Sequence, residues 1–196
     1  MNYDSFKWIN KSEHTIDGDK ITIQAPTITD YFNSPVPENG KFNEPVVNAP
    51  FFYTEIEGDF VIKVKVKPNF ESNFDAACIM VIQDDYTWIK AAFEKTDFAT
   101  AAVVSVVTDK ISDDANGCNI NGDSVWLQVA RVGENFAIHY SLDGETYEMV
   151  RVFYLKTDKV LKVGIEAQSP TGKGGPREFS GLSIERKTIK NLRAGA

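Results

Sequence analysis

Phe60-Val61-Ile62-Lys63-Val64-Lys65-Val66-Lys67 decides the fold class of this chain. Its even positions are Phe, Ile, Val and Val, and three of its odd positions are Lys. A period of two belongs to a strand with one face in a core and the other in water. Pro68 and Asn69 end the segment, because proline cannot donate to a ladder. Working outward, the alternation recurs on both sides. Ile21-Thr22-Ile23 follows the turn Asp17-Gly18-Asp19. Further strands are expected over residues 76–83, 88–94, 101–108, 125–132, 136–141, 148–154, 160–168 and 179–186, most with turn residues between them. Gly133-Glu134-Asn135 and Ser141-Leu142-Asp143-Gly144 carry the chemistry of tight reversals, so the later strands form an antiparallel meander. No segment holds a long helical period. The expected fold is all-β, a two-sheet antiparallel jelly-roll sandwich, with Phe60, Ile62, Val64, Ile89, Phe93, Leu127, Ile138, Val163 and Ile165 in its core.

The bulk properties agree. The chain has 196 residues, 42% hydrophobic and 25% charged, which suits a globular β-sandwich of one domain. Residues 1–190 are read as that domain, and residues 191–196 as a frayed tail. A net charge of -7 without a basic block makes nucleic acid a poor partner. No run of 18 apolar residues and no apolar leader is present, so no membrane association is expected and the chain reads as cytoplasmic. Cys78 lies in the apolar run Ala76-Ala77-Cys78-Ile79-Met80-Val81 and reads as a buried small hydrophobe. Cys118 falls in a polar stretch read as a loop, 113–118, and no Cys-x-x-Cys motif exists.

Trp88-Ile89-Lys90-Ala91-Ala92-Phe93-Glu94 is the stretch richest in functional signal. In a strand, Ile89, Ala91 and Phe93 share the core face, while Trp88, Lys90 and Glu94 stand in a row on the other. A ring, an ammonium and a carboxylate in one row suit a sugar. The alternatives are a solvated sheet surface, or a covered Trp88 beside a structural Lys90–Glu94 ion pair. Other strands turn Gln128, His139, Arg151, Glu166 and Gln168 away from the core, and these join the candidate groove if their strands are neighbours. Glu94 and Glu166 would be the carboxylate pair of a glycoside hydrolase, across a bound sugar, only if their strands are neighbours. Otherwise no catalytic signature is present: there is no Gly-x-Ser-x-Gly elbow, and His14 and His139 are the only histidines. No metal and no cofactor is expected. Gly172-Lys173-Gly174-Gly175 lies between two prolines and reads as a flexible hairpin rather than a phosphate loop. The loops of 34–40 and 43–50 either border a site or pass around a sheet edge.

The order of several segments resembles the domain-of-unknown-function 1349 family. These are Asp30-Tyr31-Phe32, Gly58-Asp59-Phe60, residues 74–81, residues 85–94, Ser105-Val106-Val107-Thr108 with Ser112-Asp113, the stretch from Arg131 to Gly144, Arg151, and residues 163–170. The resemblance implies a concanavalin A-like lectin/glucanase fold and no established activity. The family includes a fungal member described as a regulator of enolase. Two partner classes follow: an oligosaccharide or small polar ligand bound without turnover, or a protein partner, such as a glycolytic enzyme, met through loops of 33–50. Two positions depart from the family pattern. Asp114 stands where the family often has Trp, and Gln128 where it often has Arg.

Overall fold

The computed structural model describes residues 2–38 and 40–196. Asn39, within the 34–40 loop, and Met1 lie outside the described residues. Sixteen strands and no helix are described: β1 (Lys7–Ile9), β2 (His14–Asp17), β3 (Lys20–Ala25), β4 (Tyr31–Phe32), β5 (Val46–Val47), β6 (Phe51–Glu57), β7 (Phe60–Lys67), β8 (Ala76–Asp84), β9 (Thr87–Lys95), β10 (Ala101–Asp109), β11 (Ile111–Asn119), β12 (Val125–Val132), β13 (Asn135–Ser141), β14 (Glu148–Tyr154), β15 (Val160–Gln168) and β16 (Gly175–Glu185). A first seven-stranded sheet runs β1-β6-β15-β8-β9-β10-β11, and a second runs β14-β13-β12-β7-β16-β3-β2. Every pairing is antiparallel. The two sheets face one another as a jelly-roll sandwich.

The alternation explains the packing between the sheets. Phe60, Ile62, Val64 and Val66 of β7 meet Ile89, Ala91 and Phe93 of β9 in one apolar core, with Leu127, Ile138, Val163 and Ile165 alongside. All nine residues expected in the core are in it. The tight turn at Gly133 and the meander β12-β13-β14 stand as read.

Three local readings are corrected. The polar stretch containing Cys118 is not a loop but β11, an edge strand paired with β10, and its middle residues are exposed. An edge strand with little apolar content has no period for the eye to find, and its charges guard the free edge. The glycines at 172–175 do not close a hairpin, because β15 and β16 lie in different sheets and the segment carries the chain across. Residues 191–196 do not fray. Asn191 Oδ1 accepts from the backbone N–H groups of Arg193 and Ala194, and Gln128 and His139 of the second sheet donate to carbonyls of the folded turn.

The excursion between β3 and β6 shapes the function-bearing face. It lays Tyr31 and Ala49 over the outer face of the first sheet, against Phe51, Cys78, Met80, Trp88 and Ala92. This second, smaller core explains why β8 reads Ala-Ala-Cys-Ile-Met-Val-Ile without alternation: both its faces are buried. The cover reaches only part of the sheet.

Candidate functional site

Where the cover ends, the outer face of the first sheet opens into a pocket of about 480 Å³. That is within the usual range for a small-molecule site. Its floor is a cross-section of the sheet: Gln168 from β15, Lys90 and Glu94 from β9, Val106 from β10, and Asp114 and Asn116 from β11. The ladder register sets these positions, with Lys90 opposite Val106 and Val106 opposite Asp114. Asp30 and Phe32 supply one wall, Phe74 another, and the turn between β9 and β10 adds Asp97 and Phe98. Phe98 is 73% exposed. Phe74 has a left-handed backbone, φ 66°, which is costly for a bulky residue and tends to persist where surroundings enforce it. Here Gln168 Nε2 donates to its carbonyl at 3.0 Å, and its own N–H donates to Lys95 O at 2.6 Å.

Lys90 is buried and all three of its ammonium donors are committed. They reach Asp30 Oδ1, Tyr31 O and Gln168 Oε1, each at 2.9 Å. Burial works against its charge, but Asp30, then Cys78, Glu166 and Glu94, outweigh it and hold its pKa above the ordinary lysine value. Glu94 is 8% exposed, and among the described residues no hydrogen bond or ion pair reaches its carboxylate. Burial pushes its pKa up to about 8; Lys90 opposes the rise, while Asp114, Asp30 and Glu166 add to it. Asp114 is raised by the same balance of burial and Asp30 against Lys90.

Glu166 stands on the same face of the sheet but is sealed. It is 0% exposed, faces Cys78 across the ladder, and neither carboxylate oxygen has a hydrogen-bond partner. Burial pushes its pKa up to about 7, against the pull of Lys90.

The structure thus brings together Lys90, Glu94 and Gln168 around one pocket and leaves the other expected residues out of it. Trp88 is on the expected face but is 1% exposed, edge-on to Tyr31 under the cover, so it is no stacking platform. Lys90 pairs with Asp30 and not with Glu94. Gln128 and His139 belong to the second sheet, where the C-terminal turn covers them. His139 Nε2 donates to Leu192 O at 2.8 Å, and Gln128 Nε2 donates to Gly195 O at 3.1 Å. Burial lowers the His139 pKa. Arg151 lies on β14 and bridges the sandwich edge to Asp113 of β11 at 2.7 Å. Strand alternation says which side of its own strand a residue occupies; it does not say which sheet the strand joins.

Asp30, Phe32, Phe74, Asp97, Phe98 and Asn116 are pocket residues that the reading of the sequence did not propose as ligand contacts. Only Asp30, Phe32 and Phe74 carried any signal, as parts of segments 30–32 and 74–81 of the family resemblance. The others come from turns and from the edge strand, where no periodic pattern marks them.

The family model described as "Protein of unknown function (DUF1349)" matches residues 8–187. "Regulation of enolase protein 1" of Saccharomyces cerevisiae is 28% identical over 187 residues, covering 94% of this chain and 91% of the relative. A solved structure of a functionally unknown protein from Saccharomyces cerevisiae superposes with a TM-score of 0.85 at 27% identity, covering 96% of this chain and all of that one. A carbohydrate-binding module of family 66 from Bacillus subtilis gives 0.60 at 10% identity, covering 94% of this chain and 97% of the module. At that identity the likeness concerns the fold alone.

Proposed function

The chain belongs to the DUF1349 family, and on that premise we propose that it is a non-catalytic binding domain for a small polyhydroxylated ligand, an oligosaccharide, held in the pocket of the first sheet. The observation that carries this reading is the pocket's make-up. Phe32, Phe74 and Phe98 stand around a floor that combines the buried Lys90, Glu94 and Gln168 with the exposed Asp114 and Asn116. Aromatic faces take the apolar side of a sugar ring, and carboxylates and amides accept from its hydroxyls. The sandwich shared with a carbohydrate-binding module is consistent with this use but supplies no ligand. Turnover is not part of the proposal. Of the two carboxylates considered for hydrolysis, Glu94 reaches the pocket and Glu166 is sealed beneath the cover, so the two do not flank a common substrate.

A second reading, regulation of a partner enzyme, draws on the name of the yeast relative and on one end of the sandwich. There the exposed Phe42 and Tyr86 line one hollow. One calorimetric series separates the two. Titration with an oligosaccharide panel should show binding that Phe98→Ala weakens about tenfold, the worth of one aromatic contact, with an unchanged thermal midpoint. Titration with purified enolase should show none. Binding of enolase without any saccharide would replace the first reading with the second.

A further inference from the structure

We infer that the pocket selects a sugar bearing a free amine, so that Glu94 and Asp114 receive an ammonium group of the ligand. This rests on the carbohydrate-binding reading and sharpens it.

Three observations lead there. The first is the balance of charge. Asp30, Glu94, Asp97 and Asp114 line the pocket, and Lys90 is the one cation among the lining residues. The second is that Lys90 has nothing left to offer. Its three donors are spent on Asp30, Tyr31 and Gln168, so it anchors the cover to the sheet and leaves no N–H for a ligand anion. A carboxylated or sulfated sugar would therefore bring negative charge to a wall of carboxylates and find no free ammonium. The third is Glu94 itself. The residue is only 8% exposed, lines the open pocket, and no protein group bonds its carboxylate. An acceptor at the wall of an open pocket with no protein donor takes its hydrogen bonds from water or from a ligand. Glu166 also lacks a partner, but both its oxygens are sealed from solvent, so of the two only Glu94 can be completed from solution.

A neutral hydroxyl would satisfy Glu94 as an acceptor but would do nothing for the crowding of like charges around it. That crowding comes from Asp114 of β11, Asp30 from the segment before β4, and Glu166 of β15, with Lys90 on its own strand opposing it. An ammonium answers both needs. It donates up to three hydrogen bonds and supplies the positive charge that Lys90 has already committed elsewhere. With its pKa pushed up to about 8, Glu94 is mostly protonated at pH 7 and would release its proton when the ligand arrives.

The test is calorimetry with the intact chain at pH 7 against four oligosaccharides of equal length. One is made of glucosamine, one of N-acetylglucosamine, one of glucose and one of a uronic acid. The glucosamine oligomer is expected to bind at least tenfold more tightly than the acetylated and neutral ones, and the uronic oligomer not at all. Raising salt should narrow the preference. Its apparent enthalpy should vary with the ionisation enthalpy of the buffer, reporting proton release. Glu94→Gln, which keeps shape and removes charge, should bring the glucosamine-to-acetylglucosamine ratio close to one, with folding checked by thermal midpoint. Equal or tighter binding of the neutral or uronic oligomers would overturn the charge assignment and leave the carbohydrate reading standing. Binding of none of the four would remove both.

Discussion

Glu166 is the residue most out of place by ordinary rules. A carboxylate with no exposure and no hydrogen-bond partner is tolerated mainly in its protonated form. With its pKa pushed up to about 7, above the ordinary carboxylate value, the folded state holds a proton there that the unfolded chain releases. The stabilising effect of the shift is therefore complete below the unfolded pKa and is lost as pH rises through about 7. Replacing it by its neutral isostere removes the titration. Glu166→Gln should leave stability near that of the parent at pH 5 and raise it at pH 8, on the order of 2–3 kcal/mol. Denaturant melts at the two pH values read this directly. A variant less stable than the parent at pH 8 would show that the ionised carboxylate is held by partners after all.

At the scale of elements, the cover between β3 and β6 is the device that makes a pocket out of a flat sheet. Its apolar part is Tyr31 and Ala49 on the sheet; its polar part is the charged tie from Asp30 to Lys90, with Lys90 also donating to Tyr31 O and Asn33 bonding to Ser112 of β11. The Lys90 side chain is buried while that of Asp30 is about a fifth exposed, so the lysine depends on the tie more than the aspartate does. Removing the carboxylate leaves an ammonium under the cover without its charge partner. Asp30→Ala should cost about 3–5 kcal/mol, the usual penalty for orphaning a buried charge. It should also loosen the segment, which amide hydrogen exchange at Tyr31 and Ala49 would register. A loss below about 1 kcal/mol would mean that Gln168 and Tyr31 O hold Lys90 without help.

Across the whole molecule, the two sheets are joined at one end by a fully buried ion pair. Arg177 of β16 in the second sheet lies 2.8 Å from Asp75, which leads into β8 of the first. Arg177 also donates to Gln168 O and Pro68 O, and Asp75 accepts from Ser169 and from the backbone of Glu71 and Ser72. The network ties the crossover after β15 to both sheets and sets the backbone that presents Gln168 and Phe74 to the pocket. Arg177→Met keeps the volume and strands Asp75. It should lower stability by about 3–5 kcal/mol and weaken ligand binding at a distance. Equilibrium unfolding of the variant measures the first effect and calorimetry the second. Stability equal to the parent's would show that the pair is replaceable by packing alone.

What the sequence determined by itself was everything that depends on a strand's own period. Phe60 to Lys67 declares its two faces, and so does Trp88 to Glu94, because side chains alternate whatever the neighbours do. Hence the sandwich, its core and the facing of Lys90 and Glu94 were legible. Which strands lie side by side beyond the hairpins was decided only in the tertiary structure: β8 and β9 are consecutive, but β15 joins β8 from far along the chain. That separation put Gln128, His139 and Arg151 on the other sheet and brought Gln168 to Lys90. The burial of Trp88 was likewise a tertiary outcome. An outward-facing indole looks the same in sequence whether water or Tyr31 lies above it, and the irregular excursion that supplies Tyr31 has no period to announce where it lands.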